Sequence, residues 1–244
     1  MMDIRRLEEV ALNAWPALSQ VFYDGWVLRF SEGYTKRGNS ANALAESTID
    51  VSEKIEYCQQ AYARKKLPAI FRISPLALPE LDRELEARGY AFFHPTWVMT
   101  LDLQLWEPPS GENQISESAL EEWIDVFSLL SESQAGKQST HLKILESIET
   151  PCLWALSKDQ NDWVSGGLGV LDDRYFGLFD IVTHPEKRNQ GFGTQLIAGM
   201  LKWAKDRGAE TGYLQVMDEN KPARQLYKKL GYRDVYKYWY RVPG

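Results

Sequence analysis

From Ile181 to Thr194 the chain reads Ile-Val-Thr-His-Pro-Glu-Lys-Arg-Asn-Gln-Gly-Phe-Gly-Thr, and these are residue types that hold an anion. An apolar strand ends, Pro185 turns the chain, and Arg188 precedes Gly191 and Gly193 where a long amphipathic helix opens. The first turn of a helix presents N–H groups with no intrahelical partner, at the positive end of its dipole. Glycines there let a phosphate approach the backbone closely. A turn needed only for tight strand-to-helix packing would use the same glycines, so the loop alone leaves both readings open. No Gly-Lys-Ser/Thr follows, which excludes a Walker loop. A Rossmann fingerprint fails too, because the strands before the loop form a meander and one of the three glycines is missing.

Proton-moving groups lie around this loop without a spacing that singles one out. Asp180, His184, Glu219 and His141 are all candidate bases. His184 precedes a proline in a turn, where histidines are commonly solvated. Asp180 sits in a strand whose side chains alternate faces, so its direction relative to Phe179 and Ile181 decides its role. Tyr227 lies beside Leu226 on an amphipathic helix, where packing and phenol chemistry are both open. Cys58 and Cys152 have no CxxC or Cys/His ligand spacing, so no metal site, redox motif or disulfide framework is expected.

The elements that must position these groups can be read from periodicity. Residues 116–132 carry apolar positions at helical spacing, and a shorter helix is expected over 138–148. Strand-like runs at 152–157, 163–171 and 175–183, separated by Asp159–Asn161 and Asp172–Asp173, read as an antiparallel meander. A helix over 191–207 stops at Gly208. A strand at 213–217, a helix at 221–230 ended by Gly231, and a last strand pair through Tyr240 complete the half.

With those elements in order, the second half resembles the GNAT superfamily of N-acetyltransferases. The resemblance is carried by IVTHPEKRNQGFGTQLI and, further on, LQVMDENKPARQLYKKLGY. It implies an α/β fold with a mixed, mostly antiparallel sheet flanked by helices, and acetyl-CoA as co-substrate. It also implies that backbone groups of Ile181, Val182 and Thr183 meet the pantetheine arm and thioester carbonyl. Arg188 and the amides of Asn189, Gln190, Gly191, Phe192, Gly193 and Thr194 would hold the pyrophosphate. Asn220 would hydrogen-bond near the pantetheine or acetyl group, and Tyr227 would stand at the general-acid position beside the cofactor. Each role has a chemical reason: charge develops on the carbonyl oxygen, where a fixed N–H stabilises it. The leaving thiolate needs a proton, and the entering ammonium must lose one.

The first half repeats part of this order. GWVLRFSEGY (25–34) resembles the strand-turn-strand GLGVLDDRYF (167–176), residues 54–74 read as helix then strand, and LDRELEARGY (81–90) mirrors ARQLYKKLGY (223–232). A constant offset of 142 residues relates Gly25 to Gly167, Gly89 to Gly231 and Trp97 to Trp239. The expectation is therefore tandem GNAT-like domains: a degenerate copy over 1–105, a polar Pro/Gly linker at 106–113, and a catalytic domain over 114–244. At the same offset Arg188–Gly193 falls on Glu46-Ser-Thr-Ile-Asp-Val51, with acids and no glycine, and Tyr227 falls on Leu85. The first copy is expected to bind no acetyl-CoA and to serve packing or to wall the acceptor site.

The 244 residues carry 44% hydrophobic and 25% charged side chains, which excludes wholesale disorder. A net charge of −6 argues against a broad nucleic-acid surface. No apolar run is long enough for a membrane span, and the chain reads as soluble and cytoplasmic. The expected activity is N-acetylation of a small-molecule or peptide amine by direct attack in a ternary complex, because neither cysteine lies in the site motifs to carry an acyl group. A non-catalytic acyl-CoA sensor or assembly module is the alternative, and succinyl- or malonyl-CoA stays open as donor.

Overall fold

The structure, a computed structural model, describes residues 3–109, 115–131 and 138–244. The chain divides into two compact units, Met1–Trp97 together with Tyr236–Gly244, and Val98–Val235. The units part at Trp97, ahead of the polar stretch 106–113, whose residues 110–113 lie outside the described ones. The last nine residues return to the first unit.

In the first unit, the Asp3 carboxylate accepts from the Arg6 N–H and caps α1 (Ile4–Asn13). A hairpin follows, β1 (Ser19–Tyr23) and β2 (Trp26–Phe30), turning at Asp24 and Gly25, both with positive φ. Then come β3 (Ala41–Ala43), α2 (Val51–Arg64), β4 (Phe71–Ile73), α3 (Pro79–Ala87) and β5 (Ala91–Asp102). Of the strand-turn-strand expected over 25–34, only the first strand falls there, and the next strand begins at Ala41. Asn39 is the physical reason: its side chain accepts from the Ser31 and Gly33 N–H groups and donates to the Ser31 and Thr35 carbonyls, which closes 31–39 into a loop. Trp26, Ile55, Tyr62, Phe71 and Leu85 form the core between sheet and helices. Arg72 and Glu8, both buried, make a two-point ion pair, and Tyr236 donates its hydroxyl to the same carboxylate.

The second unit contains β6 (Ser116–Glu117), α4 (Leu120–Ser131), α5 (Gln138–Glu146), β7 (Cys152–Asp159), β8 (Asp162–Asp172) and β9 (Tyr175–Thr183). These are followed by α6 (Phe192–Asp206), β10 (Thr211–Met217), α7 (Lys221–Lys229) and the start of β11 (Arg233–Val242). The helix expected from 116 begins four residues later. Ser116 and Glu117 pair instead with β7, and Ser118 gives both its N–H and its hydroxyl to the Trp154 carbonyl. The meander β7-β8-β9 is antiparallel, as its turn residues predict, and β10 joins β9 in parallel. The resulting α/β architecture, helices on a mixed sheet, agrees with the fold read from the sequence.

The duplicated order is visible in the element starts. Val51, Pro79 and Ala91 open α2, α3 and β5 in the first copy. Phe192, Lys221 and Arg233 open α6, α7 and β11 in the second, within one residue of the 142-residue offset.

Candidate active site

The parallel ladder between β9 and β10 runs from Thr211↔Tyr175 to Leu214↔Leu178, and both strands continue beyond it, to Thr183 and Met217. Just past the last pair β9 bulges. Leu168 faces Phe179 and Gly166 faces Val182, so Asp180 and Ile181 together oppose Gly167. Asp180 takes the left-handed conformation, φ 46°, which aspartate tolerates better than most residues. The Gly167 carbonyl is engaged elsewhere, accepting from the Trp123 indole at 3.2 Å.

After Thr183, the His184 ring accepts from the Glu186 N–H and caps a short 3-10 turn, Pro185–Lys187. Asn189 (φ 61°) and Gly191 (φ 92°) both turn left-handed to reach α6. Gly191 is the N-cap of α6 and brings no side chain to its first-turn N–H groups. Those amides therefore face the cleft in front of them.

That cleft, of about 470 Å³, is lined by Thr183 at the end of β9, by the loop and first turn of α6, and by one stripe of α7. Pro222, Gln225, Leu226 and Lys229 form the stripe at i, i+3, i+4 and i+7. Among the described residues Lys187, Arg188 and Lys229 line the cleft and no carboxylate does. Asp159 sits behind, 2.7 Å from the Lys187 ammonium, and this hydrogen-bonded contact raises the lysine pKa. The cleft is thus a cationic concavity at the open end of a helix, which suits a phosphorylated ligand. Of the residues expected around a cofactor, Thr183, Arg188, Asn189, Gly191, Phe192, Gly193 and Thr194 line it. Ile181, Val182, Gln190, Asn220 and Tyr227 are not among its lining residues. Lys187 and Lys229 were absent from the sequence expectation. Lys229 was findable, one helical turn beyond Gln225.

The other expected residues have definite local roles. The Gln190 amide donates to the Glu186 carbonyl at 3.0 Å and braces the loop. The Asn220 side chain accepts from the Ala223 N–H and caps α7, which occupies its carbonyl oxygen. Tyr227 is buried with its ring edge-on to Tyr232, and burial pushes its phenol up to about 12. Glu219 is exposed ahead of α7.

Asp180 and His141, far apart in sequence, meet. His141 Nε2 lies 2.8 Å from Asp180 Oδ2. Bulge geometry decides the direction of Asp180. A Cβ on Gly167 would run into Ile181 and Met200, so Ile181 lies on the α6 side, while Asp180 reaches α5.

The first unit carries a cleft of about 490 Å³ at its corresponding loop, with the opposite character. Glu46, Asp50 and Glu80 line it, together with Lys54. The Lys54 ammonium is already held by the Asp24 carboxylate and carbonyl and by the Ser47 hydroxyl. Among the described residues no group of three or more His, Cys, Asp or Glu could hold a metal ion. No helix of the described chain is long and apolar enough to cross a membrane.

A parallel strand pair that ends at a bulge, beside a cationic cleft at an uncapped helix start, defines an α/β protein with a site suited to a phosphorylated ligand. Comparison with known proteins gives the particular family. Residues 114–232 match the family described as Acetyltransferase (GNAT) family, and residues 1–148 match that described as Probable histone acetyltransferase Rv0428c C-terminal. The uncharacterized N-acetyltransferase YobR of Bacillus subtilis (strain 168) is 31% identical over 248 residues, covering 99% of both chains. A GCN5-related N-acetyltransferase from Kribbella flavida shares the fold with a TM-score of 0.76 at 16% identity, covering 100% of this chain and 96% of that one. A tandem GNAT protein from the clavulanic acid biosynthesis pathway aligns with a TM-score of 0.61 at 14% identity, covering 98% and 88%. The chain belongs to the GNAT family of acetyltransferases.

Proposed function

We propose that this acetyltransferase carries an acetyl group from acetyl-CoA to the primary amine of a small molecule or peptide, by direct attack within a ternary complex. The observation that carries the reading is the cleft at Arg188–Thr194, lined by three cationic side chains and open to the first-turn amides of α6. A CoA pyrophosphate fits that chemistry: Arg188, Lys187 and Lys229 supply charge, and the amides of Gly191–Thr194 supply N–H donors. The pantetheine arm then runs toward Ile181–Thr183, where β9 has left its parallel ladder. Tyr227 supplies the proton to the departing thiolate. Its raised pKa keeps the phenol protonated at neutral pH, and among the described residues nothing hydrogen-bonds its hydroxyl. Both cysteines are unpaired thiols, which suits a reducing compartment such as the cytoplasm, and burial raises both thiol pKa values, which disfavours an acyl-cysteine route.

The first unit takes no acetyl-CoA in this reading, because acids line its cleft where phosphates would sit. Calorimetry on the full chain tests both halves. One acetyl-CoA per chain is expected, and Gly191→Trp abolishes all of the binding. Two equivalents, or binding that survives Gly191→Trp, would overturn the assignment. Binding without CoA release in the presence of any amine would leave an acyl-CoA sensor instead.

A further inference from the structure

We infer that Asp180 is the base on the acceptor side of the transfer and that His141 is the residue that positions its carboxylate. The inference rests on the acetyltransferase reading above and deepens it.

The His141 ring is 4% exposed, edge-on to Trp123 and Phe127 at centroid distances of 6.4 and 5.5 Å. A buried imidazole must have hydrogen-bond partners, and Nε2 has Asp180 Oδ2 at 2.8 Å. With the proton on Nε2, that nitrogen donates to the carboxylate. Oδ1 takes no hydrogen bond from any described residue, and the Asp180 side chain is 21% exposed. One carboxylate oxygen is therefore anchored by the buried ring, and the other is left without a hydrogen bond from the described residues on a partly exposed side chain.

A hydrogen-bonded pair needed only for packing would not require the backbone Asp180 adopts. Its left-handed φ of 46° belongs to the bulge that breaks the β8–β9 register. The bulge turns Asp180 toward α5 at the residue before Ile181, the first of the three strand residues proposed to hold the thioester. Strained backbone over-determined by its surroundings is where a reactive group is commonly held.

The acceptor must arrive as a free amine, its ammonium proton lost to solvent. As its nitrogen bonds to the thioester carbon, that nitrogen becomes positively charged and its N–H acidic enough for a carboxylate. Asp180 takes this proton, the C–S bond breaks, and the sulfur leaves with the bonding pair to be protonated by Tyr227. Solvent then returns the Asp180 proton to the tyrosinate. The products are an amide and free CoA.

The test uses the full chain with acetyl-CoA and three probe amines: spermidine, L-lysine and tyramine. Asp180→Asn keeps a residue that accepts the left-handed backbone and an oxygen for His141. It is expected to lower kcat about 100-fold while the acetyl-CoA Kd by calorimetry changes less than about twofold. His141→Gln, which retains a donor near Nε2, is expected to stay within about threefold of wild type. His141→Phe fills the same space without the donor and should lose about tenfold in kcat, with KM for acetyl-CoA unchanged. Asp180→Asn within threefold of wild type would overturn the inference and leave the acetyltransferase reading intact. Equal losses in the two His141 variants, tracking a fall in Tm, would reduce His141 to a packing residue and overturn its role. Failure of wild type to bind acetyl-CoA, or to release CoA with any of the three amines, would overturn the reading and this inference together.

Discussion

A Cβ placed on Gly193 would lie 3.2 Å from the Thr183 hydroxyl oxygen and 3.7 Å from a Leu226 methyl. The first turn of α6 thus lies against the last residue of β9 and the facing stripe of α7, around the cationic cleft. Gly193→Ala requires Thr183 to shift by a few tenths of an ångström, and a rotating hydroxyl can do so. It is expected to fold normally and weaken acetyl-CoA binding less than about tenfold, under 1.4 kcal/mol. Gly193→Leu projects a side chain into the cleft and is expected to abolish measurable binding without lowering Tm by more than a few degrees. Calorimetry and thermal melts on both variants check this. Tight binding by the leucine variant would place the ligand elsewhere.

The charges in the cleft should separate by geometry. The Arg188 Nε–H reaches the Thr183 carbonyl at a long 3.4 Å, which leaves most of its donors for a ligand. Lys187 is held by Asp159. Arg188→Ala is therefore expected to raise KM for acetyl-CoA about 10- to 100-fold, the range for charge-assisted hydrogen bonds of about 1.5–3 kcal/mol. It should leave kcat nearly unchanged, because the lost contact is made equally in the ground and transition states. Lys229→Ala should act in the same direction and more weakly. A fall in kcat at constant KM would contradict a phosphate-binding role. Dephospho- and desulfo-CoA as competitors show which end of the ligand each side chain meets.

Much of this was legible from local signals. The meander β7-β8-β9, α6 and α7 followed from period-2 and period-3.6 patterns closed by turn residues and glycines, and β9 runs over the residues its pattern predicts. The turn from β9 into the uncapped start of α6 was legible because it is written in consecutive residues, with Gly191 taking the left-handed conformation the sequence offers there. What was hidden depends on direction or distance. Asp180 and His141 are 39 residues apart, and only the bulge opposite Gly167 turns the carboxylate toward α5. A strict alternation argument could not settle that, since an extra residue inverts it. The membership of 236–244 in the first unit was equally invisible. Trp239–Arg241 pair with Phe71–Ile73, a contact with no local signature. Asn220 shows the opposite case, since a side chain just ahead of a helix beginning Lys-Pro carries an N-cap signal in the sequence itself.

The first unit depends on a charge pair buried beneath its last strand. Glu8 on α1 and Arg72 on β4 are 1% and 5% exposed, the guanidinium stacks on the Tyr238 ring, and Tyr236 donates to Glu8. Removing one partner leaves an uncompensated charge out of water. Glu8→Gln is expected to destabilise the protein by about 3–5 kcal/mol. Replacing both partners with apolar residues of similar volume, Glu8→Met with Arg72→Met, should cost much less. Urea unfolding of the single and double variants measures the difference. Equal losses in the two would show that the pair is not the source of the stability.

Alkaline pH should act on stability before it acts on the proton donor. Burial raises the phenol pKa of Tyr227 to about 12 and that of Tyr62, Tyr236 and Tyr240 beyond it. A tyrosine whose folded pKa exceeds its unfolded value near 10 binds its proton more tightly in the folded state. Its contribution is fully present below pH 10 and declines as pH rises through 10 toward 12, because only the unfolded chain ionises in that window. Stability is therefore expected to be flat with respect to these groups from pH 7 to 9 and to fall steeply above 10. Tyr227→Phe removes one titrating group, so its unfolding free energy should fall less steeply over pH 10–12 than that of wild type. Its kcat at pH 8 should drop about 100-fold while acetyl-CoA still binds. Full turnover in the phenylalanine variant would remove Tyr227 from proton donation and leave its ring as packing against Tyr232.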